Sequence, residues 1–129
     1  MFRLSQQSRY VAKKSLSDPN LSLRIEVAMY RRELSQADLA RRLGVTRGTV
    51  SNWVSGRDEP GKKRLPALSV ALGVSVEWLM GEPISDEERA WERELLLLLR
   101  NGGPAISRLI EQHGYQKVID HLRLLDEQD

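Results

Sequence analysis

One residue, Val45, separates a helix stop from a helix start near the middle of this chain. Gln36, Leu39, Ala40 and Leu43 recur at helical spacing behind Ser35, a residue type that caps helix N-termini. Gly44 follows where a helix end favours a left-handed residue, and Thr46 reads as the next N-cap, ahead of a helix from Arg47 to about Val54. Two short helices joined by so tight a turn cannot lie side by side as a hairpin, so they must cross steeply. On the second of them Val50, Trp53 and Val54 share one face, while Arg47, Gly48, Ser51, Asn52 and Ser55 share the other. The first face suits burial, and the second is short, polar and able to hydrogen-bond.

The flanks continue the helical pattern. Leu23, Ile25, Ala28, Met29 and Leu34 mark a helix from Leu21 to Glu33-Leu34. Beyond Gly56 a charged loop, Arg57 to Arg64, leads to a fourth helix through Leu65, Leu68, Val70, Ala71 and Leu72 to Gly73. Ser75 caps a very short fifth helix, Val76 to Met80. Trp53 and Trp78 stand at core spacing. Residues 1–20, rich in Ser, Gln and Lys and closing on the turn signal Ser17-Asp18-Pro19-Asn20, read as a flexible basic arm carrying Arg3, Arg9, Lys13 and Lys14.

After Gly81 the pattern stays helical but the charge reverses. Residues 1–81 hold 14 Lys/Arg against 7 Asp/Glu, net +7, and residues 82–129 hold 6 against 11, net −5. A basic first part suits a polyanion, and an acidic tail would stand off it. Ser85-Asp86-Glu87-Glu88 reads as a capping box, and Pro104 and Gly114 bound a further short helix ahead of the last. Five consecutive leucines, Leu95 to Leu99, cover every side of a helix, so one face stays wet unless another chain covers it. Trp91, Leu95, Leu96, Leu98, Leu99, Ile106, Leu109, Ile110, Val118, Ile119 and Leu122 are therefore the expected oligomerisation residues of a helical region over 82–129, with 1–81 able to fold without it.

Other chemistry is excluded early. There is no cysteine, and the two histidines, His113 and His121, fall on expected solvated faces, so no metal site and no cofactor is expected. No nucleophile, base and metal group can be assembled, which argues against an enzyme. The longest apolar run is five residues, far below the ~20 that span a bilayer, so no membrane partner is expected and a cytoplasmic protein is the default.

The segment Leu34-Ser-Gln-Ala-Asp-Leu-Ala, with Leu65-Pro-Ala-Leu and Ala71-Leu-Gly-Val-Ser-Val-Glu-Trp-Leu-Met80, resembles the DNA-binding domain of the lambdoid phage repressor and Cro family. The resemblance covers about residues 21–81. It implies an all-α, five-helix lambda-repressor-like domain, here followed by a small C-terminal helical segment. In that family the second motif helix enters the major groove, which places Arg47, Gly48, Ser51 and Asn52 at base-reading positions. Arg47 suits guanine O6 and N7 together, and Asn52 suits adenine. Gln36, Thr46, Ser55, Arg57, Lys62 and Lys63 are the corresponding phosphate candidates. Where some family members hold a charged pair between the first helix and the recognition helix, this chain has Met29 and Val54. The implied function is a dimeric repressor on a near-palindromic duplex operator, its two reading helices on the order of 34 Å apart. The family's self-cleaving domain, β-rich with a Ser/Lys dyad, does not fit the helical pattern of 82–129. The alternatives are an antitoxin whose tail captures a toxin, an adaptor that binds protein alone, and control through an antirepressor.

Overall fold

In the computed structural model, which describes residues 21–102 and 104–127, the arm read over 1–20 lies outside the described chain. The described residues form eight α-helices and no strand: α1 Leu21–Arg32, α2 Gln36–Leu43, α3 Arg47–Ser55, α4 Leu65–Leu72, α5 Val76–Leu79, α6 Asp86–Asn101, α7 Pro104–His113 and α8 Tyr115–Glu127. A 3-10 turn, Lys62–Arg64, breaks the charged loop before α4.

Local chemistry accounts for most helix ends. Ser35 Oγ accepts the Asp38 N–H at 3.0 Å while the Asp38 carboxylate accepts the Ser35 N–H at 3.0 Å, a complete capping box at the start of α2. Gly44 ends α2 at φ 68°, with open space where a Cβ would stand, so backbone conformation alone calls for glycine. Thr46 Oγ1 caps α3 by accepting the Thr49 N–H at 3.1 Å. The end of α1 is less legible: Glu33, not a glycine, takes φ 53°, and this left-handed step turns Leu34 out of the helix onto the core.

Two apolar cores meet along α1. Ile25, Ala28 and Met29 point into the first, with Leu39 and Ala40 of α2, Val50 and Trp53 of α3, Leu68 and Leu72 of α4, and Trp78 and Leu79 of α5. Met29 is buried there and Val54 packs against the same core, so apolar packing occupies the place of the charged pair. On its other side α1 buries Leu23 and Val27 among Leu95, Leu97, Leu98 and Leu99 of α6, Ile106 and Ile110 of α7, and Tyr115, Val118, Ile119 and Leu122 of α8.

This second core corrects the expectation that another chain must cover the leucine run. Leu95, Leu98, Leu99, Ile106, Ile110, Val118, Ile119 and Leu122 are buried by their own chain, because α6 is wedged against both α1 and α8. Trp91 is half-buried against the first core, edge-on to Trp78 with centroids 5.8 Å apart. Of the residues expected at a subunit interface, Leu96 and Leu109 stay exposed, at 45% and 41%. Outside that set, Leu124 and Leu125 are exposed as well.

Three buried charged groups pin the two cores together. Glu94, 3% exposed, accepts from Arg31 Nη1 at 2.8 Å, from Arg123 Nη2 at 2.5 Å and from the Tyr115 hydroxyl, so α1, α6 and α8 share one carboxylate. Burial and that carboxylate hold the Tyr115 phenol well above the ordinary tyrosine range. Arg24 lies 5.0 Å over the Trp78 ring, donates to the Trp78 carbonyl at 3.2 Å and faces Glu92 at 3.7 Å. Glu88 departs from the simple box read at Ser85. Its N–H does go to Ser85 Oγ, but its carboxylate crosses to the start of α5, accepting from the Ser75 N–H at 3.1 Å and the Ser75 hydroxyl at 2.6 Å, and from the Ile84 N–H at 3.2 Å. Burial opposes ionisation there, yet these hydrogen bonds hold the Glu88 carboxyl below its usual range.

Candidate nucleic-acid interface

The polar side of α3 is open. Val50 and Trp53 are buried beneath it, while Arg47, Gly48 and Ser51 are exposed and Asn52 is half-buried. The N-terminal turn thus presents a guanidinium, a bare stretch of backbone and a hydroxyl, in that order. The fold holds this face from behind, because α3 packs on both α2 and α1.

Not every expected phosphate ligand is equally free. Arg57, Lys62 and Lys63 are exposed cations in the loop beyond α3, and Arg64 joins them. Asn52 O orders the start of that loop, accepting from the N–H of Arg57 at 3.0 Å and of Asp58 at 3.2 Å. Gln36 is half-buried at the first turn of α2. The Thr46 hydroxyl, besides capping α3, lies 2.8 Å from Thr49 Oγ1. Ser55 Oγ donates back to the Asn52 carbonyl at 3.2 Å, so its hydrogen already has an acceptor. Sequence reasoning passed over Arg42, exposed in the last turn of α2. Two cations in a last turn suit the helix dipole, which hid any further purpose. Its neighbour Arg41 is ion-paired to Asp38.

The basic surplus of the first part is narrower than its count. Arg24 and Arg31 are consumed by the core links described above. Among the described residues of the first part, the exposed cations that remain are Arg32 at the end of α1 and those on α2, on α3 and in the loop beyond it.

Gly48 is informative because the fold does not ask for it. A Cβ there would meet only the Thr46 hydroxyl, at 3.8 Å, an ordinary contact. Glycine inside a helix costs about 0.5–1 kcal/mol relative to alanine. Gly48→Ala is therefore expected to raise unfolding stability by about that much while weakening duplex binding, since the added methyl stands where a base or phosphate would approach. Paired urea melts and band-shift titrations read both effects. Unchanged affinity would take Gly48 off the interface.

A first helix seated on the core by Leu39 and Ala40, a left-handed glycine turn and a second helix with an open polar face form a helix-turn-helix. Residues 27–79 match the helix-turn-helix family model, and this segment is a helix-turn-helix of the Cro/C1 type. Among curated proteins the chain is 30% identical over 76 residues, 59% of its length, to an uncharacterized HTH-type transcriptional regulator of Haemophilus influenzae. It is 35% identical over 72 residues, 54% of its length, to the repressor protein CI of Enterobacteria phage phi80. The matched segments make up 29% and 30% of those two proteins, so the chain spans less than a third of either. No solved structure matches the chain. Among the described residues no helix is long and apolar enough to cross a membrane, and no group of His, Cys, Asp and Glu is placed to hold a metal ion.

Proposed function

We propose that this helix-turn-helix transcriptional regulator is a sequence-specific repressor of a phage or bacterial gene, acting as a dimer on a near-palindromic operator. The observation that carries the reading is the open face of α3, with Arg47, Gly48, Ser51 and Asn52 presented above the core and flanked by exposed loop cations. Arg47 and Asn52 read base edges, Gly48 permits close approach, and Gln36, Thr46, Arg57, Lys62 and Lys63 hold phosphates. Ser55 contributes least, its hydroxyl being turned to Asn52. The helical region beyond Gly81 serves self-association through Leu96, Leu109, Leu124 and Leu125, the apolar side chains it leaves exposed, and does not cleave itself.

Selection of binding sites from random duplex DNA, followed by a salt titration, tests the reading. A palindromic consensus supports it; binding with no preference overturns it. Within the selected site, Arg47→Ala is expected to cost about 1–3 kcal/mol and relax preference at one base pair of each half-site. Lys62→Ala is expected to weaken all duplexes alike and to make the salt slope about one unit shallower. If Arg47→Ala left affinity and preference unchanged, the base-reading assignment would fail.

A further inference from the structure

Part of the acid surplus beyond Gly81 is spent inside the fold, since Glu88 and Glu94 are buried and Glu92 faces Arg24. On the outside, charge is sorted by sign between two neighbouring helices. On α6 the exposed Arg89, Arg93, Leu96 and Arg100 follow at steps of four, three and four, one stripe of an α-helix. Arg89 and Arg93 belong to no ion pair among the described residues. On α8 the exposed Asp120, Leu124 and Glu127 follow at steps of four and three. Lys117 and His121 form a separate line, on the side of Leu124 away from α6.

The two stripes border one seam. Arg123, a turn from both Asp120 and Glu127, donates to Glu94 of α6 at 2.5 Å, which puts the acidic stripe on the α6 side of α8. Arg100, a turn beyond Leu96, donates to Asp126 of α8 at 2.6 Å, which puts the basic stripe on the α8 side of α6. The two helices run in the same direction: Glu94 meets Tyr115 and Arg123, and the later Arg100 meets the later Asp126. Arg100 and Asp120 have partners within the chain, Asp126 and Arg123, yet their side chains are 60% and 59% exposed and keep an edge to solvent.

We infer that this seam is the self-association surface, with α6 of one protomer on α8 of its partner, and α8 on the partner's α6, about a two-fold axis parallel to the helices. The inference rests on the self-association proposed above and names its surface. Arg93 to Arg100 and Asp120 to Glu127 cover equal lengths of helix, about 10 Å, with one leucine between the charges of each. Because α6 and α8 are parallel within a chain, the two-fold axis lays basic stripe on acidic stripe at both contacts and reverses neither helix. Arg93 then meets Asp120, Arg100 meets Glu127, and Leu96 is covered by Leu124. Pairing α6 with a second α6 would set arginine against arginine. A polar surface with these two leucines suits a reversible dimer.

Analytical ultracentrifugation of the full chain, without DNA and over a concentration series, tests the surface. Arg93→Glu and Asp120→Arg each turn attraction into repulsion at both contacts, and each is expected to weaken the dimer about 10-fold or more. Mixed one to one, the two variants are expected to associate as the native chain does, since each meets the opposite charge at both contacts. The two changes made in one chain are expected to restore the homodimer. Arg108→Glu, a reversal on α7 outside both stripes, is expected to leave the dimer unchanged. An unchanged melting temperature checks each fold; if Asp120→Arg melts lower, Arg100→Glu and Glu127→Arg repeat the exchange. A native dimer indifferent to the reversals, a mixture that stays monomeric, or equal weakening by Arg108→Glu overturns this surface and leaves self-association standing. A native chain that stays monomeric up to about 1 mM overturns both.

Discussion

Glu94→Ala is expected to destabilise the protein by about 3–5 kcal/mol, the cost of removing one member of a buried charged network. Glu94 is 3% exposed and takes three donors from two other helices, so its loss strands Arg31, Arg123 and the Tyr115 hydroxyl at once. The surface pair Arg100–Asp126, at 2.6 Å but with side chains 60% and 42% exposed, supplies the contrast. There Arg100→Ala is expected to cost less than about 1 kcal/mol. Urea unfolding of the two variants decides it, read as a shift in midpoint at constant slope. Equal costs would mean that Glu94 is no more than another exposed acid.

The second large effect concerns separability. A chain ending at Gly81 keeps the buried residues of the first core but strips Trp91 from beside Trp78 and uncovers Leu23 and Val27, each contributing about 1.5–3 kcal/mol when buried. It also removes Glu94 from Arg31, and Glu88 from the Ser75 N–H and hydroxyl. Together these losses come to roughly 4–9 kcal/mol, on the scale of the ~5–15 kcal/mol that holds an ordinary domain folded. The fragment 1–81 is therefore expected to lose cooperative thermal unfolding and near-ultraviolet dichroism under conditions where the full chain retains both. A sharp melt within a few degrees of the full chain would show that the second core adds little. The double-mutant Leu23→Ser/Val27→Ser in that fragment then distinguishes real exposure from new packing: it should leave the fragment unchanged while unfolding the full chain.

What could be read from the sequence was whatever depends on neighbours within one helical turn. Ser35, Gly44 and Thr46 act through their own backbone, and each stands in the cap conformation its residue type favours. Trp53 and Trp78 were legible as core because their helices carry one apolar face each. The first helix carries two. Leu23, Val27 and Tyr30 follow one another at steps of four and three, while on a different side Ala28 and Met29 stand three and four residues after Ile25. In one dimension the two stripes merge into a single broad periodic pattern. The leucine run failed for the same reason, since a helix apolar on every side says that it is covered and not by whom. Glu88 and Glu94 look like solvated acids until the fold brings Ser75, Arg31 and Arg123 to them. On the outer face of α3, residue types and exposure were legible; the turning of Ser55 back to Asn52 was not.

The double-sided α1 also sets a timetable. Tyr30 lies 2.8 Å from Ser107 across 77 residues of chain, so the second core closes only after its last helices exist. At synthesis rates of about 5–20 residues per second, about 4–15 s pass between the making of Tyr30 and of Ser107. During that interval α3 and its local neighbours can begin to form, since their contacts are short in sequence, while Leu23 and Val27 wait uncovered. The ribosome-bound chain thus carries α1 with its back still bare, a period in which holdase chaperones have an apolar stripe to grip and premature termination yields a product that is sticky as well as unstable.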